Sequence, residues 1–284
     1  SSLVEQYTFL NVFKYITVRI ALSVITSFVI VFLIGEPLIK IFERKQISGP
    51  IRQDGPIDHI IKKSGTPTMG GLIILSAILI PTVLFANLDN IYIQIMIVST
   101  LWLGIIGFID DYIKVFKKDK KGLAGRFKIL GQVGIGLIVG LVMVFHSDIV
   151  VKEGVISSPD NELFNSDISA QKSSKTTTPF FKNNEFDYQS LTSWICDGGK
   201  DYAWIIFILI VIVIITAVSN GANMTDGLDG LATGTSAIIG VTLALFCYVS
   251  GNIIAADYLN IMYIPNTGEL VIYMSSFVGA CVGF

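Results

Sequence analysis

The chain has 284 residues, of which 52% are hydrophobic and 15% are charged, and its formal net charge is −2. A soluble domain carries about 25% charged residues, so this composition favours an integral membrane protein and excludes intrinsic disorder. Three cysteines exclude a disulfide scaffold, and the net charge argues against nucleic-acid binding through general positive charge.

Seven runs without Asp, Glu, Lys or Arg predict membrane-spanning helices. Continuous apolarity favours helices over the alternating strands of a β-barrel. In chain order the predicted spans are Ile20–Gly35, Met69–Leu88, Ile91–Ile109, Ile129–His146, Tyr202–Val218, Leu231–Val249 and Leu270–Phe284. The predicted fold class is an all-α polytopic membrane protein, with residues 1–284 forming a single transmembrane domain.

The distribution of lysine and arginine predicts how the spans are oriented. Residues 43–68 and 110–128 together hold 12 basic residues, so we expect both segments to face the cytoplasm. The segment 219–230 then falls on the same side. The segment 147–201 falls outside and holds nine acidic residues. We interpret it as an extracytoplasmic loop insertion, either a hairpin or a disordered loop.

Polar residues gather at three places on the predicted cytoplasmic side. In the first, Thr66 suits an N-cap and Pro67 suits the first position of a helix. Free backbone N–H groups at that helix start, with Lys63 close by, would form an anion site. The alternative is an ordinary capped helix flanked by lysines.

The second place is the adjacent pair Asp110 and Asp111 at the end of the third predicted span. Two neighbouring carboxylates at a membrane boundary are costly, and their repulsion favours a bound cation or a raised pKa on one of them. Asp110 and Lys114 have i, i+4 spacing, so a plain ion pair on a helix is the alternative.

The third place is the segment 219–230, which holds Asn220, Asn223, Asp226 and Asp229 among three glycines and no basic residue. Its carboxylates need a partner from elsewhere, and Mg²⁺ with phosphate oxygens fits that need. A simple turn between helices is the alternative. Lysines and acids together suit a nucleotide diphosphate that meets a phosphate held in the membrane.

At these three places the chain resembles the polyprenyl-phosphate N-acetylhexosamine-1-phosphate transferase superfamily, and within it the phospho-N-acetylmuramoyl-pentapeptide transferases. The sequences GTPTMGG and DDYIK favour this branch over the GlcNAc-phosphate branch. The matching stretches are residues 48–52, 63–71, 107–114, 122–123 and 220–230.

The resemblance implies a reaction in peptidoglycan synthesis. UDP-N-acetylmuramoyl-pentapeptide gives its phospho-sugar to undecaprenyl phosphate, which yields lipid I and UMP. It also implies Mg²⁺, a homodimer in the bacterial inner membrane with the active site facing the cytoplasm, and a fold of ten helices, of which about seven are present. No nucleic acid takes part.

The resemblance also implies roles for individual residues. Asp110 matches a general base for the lipid phosphate, and Asp111 matches its partner acid. Lys63 and Thr68 match residues of the nucleotide-sugar site, and Lys114 matches a lysine on the phosphate side. The residues that match the loop bordering uridine and diphosphate are Asn220, Asn223, Asp226, Gly227 and Asp229, with Asp226 as the metal candidate.

The chain departs from the family in one respect, because two further family motifs lie beyond Phe284: a metal-binding Asp and a triple-His loop. We therefore expect a chain truncated at its C-terminus and inactive alone. Three alternatives stay open: a GlcNAc-1-phosphate transferase, a non-catalytic scaffold, and a transporter, whose acidic residues should lie near the membrane midplane on broken helices.

Overall fold

Nine α-helices account for most of the residues that the computed structural model describes. Those residues are 8–44, 70–117, 119, 122–152, 170–172, 175–177, 185–195, 202–226 and 230–284. The helices are α1 (Ile16–Arg44), α2 (Gly71–Phe85), α3 (Ile91–Phe116), α4 (Gly125–Phe145), α5 (Tyr188–Ile195), α6 (Ala203–Thr225), α7 (Leu231–Ser250), α8 (Ile253–Tyr258) and α9 (Leu270–Gly283). Short 3₁₀ helices cover Thr8–Lys14 and Thr267–Glu269.

Each predicted span coincides with one of these helices, which confirms the all-α polytopic fold class. Helices α1, α3, α4, α6 and α7 are long and apolar enough to cross a membrane, and α2 and Thr267–Gly283 are shorter apolar helices. Three helices continue beyond the predicted spans: α1 past Gly35 to Arg44, α3 past Ile109 to Phe116, and α6 past Val218 to Thr225. An apolar run measures only the hydrocarbon core, whereas backbone hydrogen bonding continues a helix beyond it.

Helices α1 and α9 pack closely through small side chains and buried hydroxyl groups. The Oγ atoms of Ser23 and Ser276 are 2.5 Å apart, and Ser27 Oγ donates to the backbone carbonyl of Ser276 at 2.7 Å. A Cβ at Gly279 would lie 2.8 Å from the carbonyl oxygen of Val24. Glycine therefore permits this approach, and the rising residue numbers on both helices show that they run parallel.

The apolar core lies beside this contact, between α1, α2, α3 and α9. An ion pair lies at one end of this core. Arg19 Nη2 lies 2.6 Å from Glu269 Oε1, and Arg19 Nη1 lies 2.9 Å from Glu269 Oε2. Both side chains are less than one-fifth exposed, at 18% and 17%. The buried core residues are Ile30, Val31, Ile73, Ala77, Ile78, Ile93, Tyr273 and Ala280.

Helices α4 and α6 form a second tight pair. A Cβ at Gly136 would lie 2.9 Å from Ile212 Cα, and a Cβ at Gly140 would lie 3.3 Å from Ile208 Cα. Glycines four residues apart share a helix face and let two backbones approach closely. Because residue numbers rise on α4 as they fall on α6, the pair is antiparallel.

The insertion between α4 and α6 contains two short antiparallel strand pairs and a helix. Strand β1 (Val151–Lys152) pairs with β2 (Ala170–Gln171), and β3 (Lys175–Thr177) pairs with β4 (Glu185–Asp187). These strands agree with the hairpin interpretation, whereas α5 was not predicted. Lys172 joins the insertion to the end of α4, because its Nζ donates to the carbonyl oxygens of Val144 and Phe145 at 3.1 and 2.9 Å.

Candidate active site

A buried carboxylate, Asp110, lies near the end of α3 and accepts hydrogen bonds from three donors. Lys114 Nζ is 2.5 Å from Oδ2, and Lys128 Nζ is 2.9 Å from Oδ1. The backbone N–H of Leu123 also donates to Oδ1, at 2.8 Å. The side chain is only 6% exposed, so its charge needs these partners to be stable. The plain Asp110–Lys114 ion pair is therefore present, but as part of a larger cluster.

The chain returns to Asp110 through a turn at Gly122, which links α3 to α4. Gly122 has a φ of +64°, and a Cβ there would overlap Asp110 Oδ1 and lie 2.7 Å from Lys114 Cε. Such a backbone conformation favours glycine. The turn lets the backbone N–H of Leu123 reach the carboxylate, and the first turn of α4 then presents Lys128 to it.

Asp111, the neighbouring acid, has a different environment from Asp110. Adjacent helical residues point about 100° apart. The Asp111 side chain is 37% exposed, and its Oδ1 is 3.9 Å from Lys114 Nζ. It lines a cavity of about 270 Å³ between α2 and α3, together with Gly71 and Gly107. Asp110 is thus buried and neutralised, whereas Asp111 is accessible to a ligand.

Asn220 and Asn223 lie on the last two turns of α6, which continues to Thr225. The prediction of a loop directly after the fifth span was therefore wrong. Asn220 Nδ2 donates to Gln132 Oε1 at 2.8 Å, and Gln132 Nε2 donates to Ser219 Oγ at 3.0 Å. Because α4 supplies these polar partners, α6 can continue through polar residues without leaving them unsatisfied.

Asp226 directly follows α6 and brings a third carboxylate to the same end of the helices. It is exposed, and it lies close enough to Asp111 to act on it electrostatically. Asn223 is exposed one turn earlier. The predicted site residues and helix start that lie outside the described residues are Lys63, Thr66, Pro67, Thr68, Gly227 and Asp229.

The acidic residues at this end of the helices are also candidate metal ligands. Within the described parts of the chain, no three His, Cys, Asp or Glu side chains are grouped closely enough to hold a metal ion. Mg²⁺, however, is often bound through one or two carboxylates, with waters and substrate phosphates completing its shell. Asp226, which is exposed at the end of α6, is a carboxylate of that kind.

Two residues of this cluster were not predicted as site residues, namely Lys128 and Gln132. Lys128 was counted only among the basic residues that orient the chain. Both lie on α4 and are four residues apart, so they share one helix face. That spacing was the available signal, but it does not tell which helix the face meets.

The fold and these residues define a class of protein: a multi-pass helical membrane protein with acidic and basic side chains gathered at one end of its helices. Asp110 and Lys114 come from α3, Lys128 from α4 and Asp226 from the end of α6. The acidic residues lie at helix ends, away from the middle of the spans.

Comparisons with known proteins agree with this class and identify a family within it. The family described as glycosyl transferase family 4 matches residues 93–284, and phospho-N-acetylmuramoyl-pentapeptide-transferase signature 1 matches residues 63–75. The chain belongs to the phospho-N-acetylmuramoyl-pentapeptide-transferase family.

Three curated relatives carry the name phospho-N-acetylmuramoyl-pentapeptide-transferase. The one from Flavobacterium psychrophilum is 53% identical over 280 residues, which cover 96% of this chain and 68% of the relative. The one from Parabacteroides distasonis is 53% identical, with 96% and 66% covered. The one from Amoebophilus asiaticus is 52% identical, with 97% and 68% covered. The chain thus spans about two thirds of the length of each relative.

Proposed function

We propose that the protein transfers phospho-N-acetylmuramoyl-pentapeptide from its UDP-linked donor to undecaprenyl phosphate, which forms lipid I and UMP. The observation that carries the proposal is the Asp110 cluster, in which one buried carboxylate holds two lysine ammonium groups at 2.5 and 2.9 Å. Both reactants are phosphate anions, and ammonium groups are the partners that such anions need.

The proposed reaction exchanges one phosphoanhydride bond for another. An oxygen of the lipid phosphate attacks the phosphorus that carries the sugar. The bond between this phosphorus and the oxygen bridging to UMP breaks, and UMP leaves with that oxygen. A new diphosphate joins the lipid and the sugar, so the atoms and charges balance without an oxidant or a further reactant.

Lys114 and Lys128 would bind the lipid phosphate, and this binding would free Asp110. Both carboxylate oxygens of Asp110 are occupied by donors. A phosphate that draws either ammonium group away leaves an Asp110 oxygen able to accept a proton from the attacking phosphate. In this proposal Asp110 is the general base, and Asp111, which faces the cavity beside α2, is its partner acid.

Asp226 is the proposed ligand of Mg²⁺. When bound, this ion would neutralise charge on the phosphates during transfer. Asn220 and Asn223 would border the nucleotide. Asn220 is held by Gln132 at 2.8 Å, so its amide is fixed before any ligand binds.

The basic segments 43–68 and 110–128 support placing the site at the cytoplasmic face of a bacterial inner membrane, where a water-soluble nucleotide donor would reach it. A homodimer is part of the same proposal and follows from the family resemblance alone. Its test is the mass of the detergent-solubilised full-length protein.

The test of the proposed function is a transfer assay on the full-length protein in membranes. UDP-N-acetylmuramoyl-pentapeptide and UDP-GlcNAc are supplied separately with undecaprenyl phosphate and Mg²⁺, and UMP release is measured. UMP release with the muramoyl donor alone is the expected result. Release with UDP-GlcNAc alone would move the protein to the other transferase branch. Release with neither donor, from correctly inserted protein, would refute the transferase proposal.

A matched pair of variants tests the roles of the acids. Asp110→Asn keeps the size of the side chain but removes the base, so we expect turnover to fall by about two to four orders of magnitude. Asp257→Asn, at an exposed position on α8, is the control and should leave turnover nearly unchanged. Normal turnover in Asp110→Asn would remove this residue from the mechanism.

A further inference from the structure

A second cavity lies at the other end of the helices, beneath the insertion. We name it the insertion cavity, and its volume is about 530 Å³. That size is within the range of pockets that hold organic ligands. Its wall combines the ends of α4 and α7, the beginnings of α3, α6 and α9, and residues of the insertion.

The insertion cavity is mostly apolar, with basic side chains on one side. Its apolar wall includes Met143, Trp204 and Phe246, which come from α4, α6 and α7. The insertion contributes Lys172 and Lys175 to the same cavity. Lys172 is exposed, and its Nζ donates to carbonyl oxygens at the end of α4. An apolar interior beside two ammonium groups matches a ligand with a hydrocarbon chain and an anionic head.

The depth of the cavity indicates where such a ligand would come from. Tyr92, near the start of α3, lines the insertion cavity, whereas Asp110 lies near the end of the same helix. Eighteen residues of α-helix span about 27 Å, close to the ~30 Å of a bilayer's hydrocarbon core. The insertion cavity therefore lies at the membrane boundary opposite to the active site, where the acyl chains of one leaflet meet their headgroups.

The hydroxyl of Tyr92 gives a separate reason to expect a ligand. It is buried, and it finds no hydrogen-bond partner among the described residues. A buried donor without an acceptor is unfavourable. An ester or phosphate oxygen of a lipid, which the apolar wall does not offer, would supply that acceptor.

We propose that the insertion cavity binds one anionic phospholipid of the surrounding bilayer, with an acyl chain among Met143, Trp204 and Phe246 and the headgroup phosphate beside Lys172 and Lys175. This site is separate from the transfer site and does not depend on the proposed reaction. The insertion would then hold a lipid against the ends of α4 and α6.

The test uses two tryptophans of nearly equal exposure as reporters. Trp204 lines the insertion cavity and is 38% exposed, whereas Trp102 lies on α3 outside the cavity and is 40% exposed. Two forms of the full-length protein are placed in lipid nanodiscs. One keeps Trp204 and the other keeps Trp102, with every other tryptophan replaced by phenylalanine. Small fractions of phosphatidylglycerol or phosphatidylcholine with brominated acyl chains are added, and quenching is measured.

We expect only Trp204 to be quenched more strongly by brominated phosphatidylglycerol than by brominated phosphatidylcholine. Each lysine near an anionic lipid favours it roughly fivefold, so for two lysines we expect brominated phosphatidylglycerol to quench Trp204 at a roughly 25-fold lower fraction than brominated phosphatidylcholine. Trp102 should be quenched equally by both lipids. Equal behaviour of the two reporters would overturn the proposal.

Two variants test whether the lipid preference of Trp204 arises in the insertion cavity. Lys172→Gln with Lys175→Gln should reduce the lipid preference of Trp204 to that of Trp102. Because this change also alters the cap of α4, Ser250→Phe provides an independent check by filling the cavity while both lysines remain. A preference that survives both variants would overturn the site. Displacement of brominated phosphatidylglycerol by undecaprenyl phosphate at a lower concentration than by phosphatidylglycerol would overturn the choice of ligand.

Discussion

Replacing Gly122 by alanine tests whether the turn between α3 and α4 positions Asp110. The φ of +64° is costly for residues with a side chain, at about 1–3 kcal/mol. The new Cβ would overlap Asp110 Oδ1 and lie 2.7 Å from Lys114 Cε, where ordinary contact begins at 3.4 Å. The lysine must therefore move by about 0.7 Å and the carboxylate by more.

A displacement of this size matters because phosphoryl transfer depends on positioning. A misplacement of about 1 Å can reduce a rate about 100-fold, so we expect turnover of Gly122→Ala to fall by that factor. The assay is UMP release from the full-length protein in membranes, with the thermal unfolding midpoint measured in parallel. The midpoint should fall by only a few degrees, since about 1–3 kcal/mol is lost from a protein with many buried helix contacts.

Gly125→Ala is the matched control for this prediction. Gly125 is the first residue of α4, and a Cβ there would meet nothing within 4 Å. It should leave turnover and stability close to those of the natural protein, because alanine favours a helix. Turnover of Gly122→Ala within about threefold of the natural protein would refute the reasoning, and so would equal losses in the two variants.

Three further predictions concern stability and the metal. Arg19→Met leaves Glu269 buried without its cation and should destabilise the protein by about 3–5 kcal/mol in thermal unfolding, whereas adding Glu269→Gln should recover part of the loss. Gly136→Ala places a Cβ 2.9 Å from Ile212 Cα and should cost about 1–3 kcal/mol, whereas Gly134→Ala, with its nearest neighbour at 3.7 Å, should cost little. Chelation should abolish UMP release and added Mg²⁺ should restore it; unchanged release in the chelator would argue against the Mg²⁺ proposal.

The membrane helices could be predicted because hydrophobicity within a bilayer is a local property of the chain. Each of the seven predicted spans corresponds to a helix. Helix ends were harder to predict, and α6 shows why. Its extension through Asn220 depends on Gln132, which is 88 residues away in the sequence. No local pattern contains that information, because it arises only when two helices pack.

Only part of the candidate site could be predicted, because local sequence again does not show which helices pack together. Asp110, Asp111 and Lys114 form one short motif on a single helix, so their proximity follows from helix geometry. Lys128 joins them only because the turn at Gly122 brings α4 back beside α3. The sequence marks Lys128 as basic and places it near a membrane boundary, but it does not show which carboxylate it will meet.

The parallel contact between α1 and α9 has a consequence for the order of assembly. Ser23 and Ser276 are 253 residues apart, so a ribosome that adds about 5–20 residues per second needs about 13–50 s to make the second after the first. During that interval α1 is in the membrane without the helix that buries its serines. Their hydroxyls can bond to carbonyls of their own helix meanwhile, as serines in membrane helices often do. Helix α1 is therefore made long before it reaches its final packing, which waits until α9 inserts beside it.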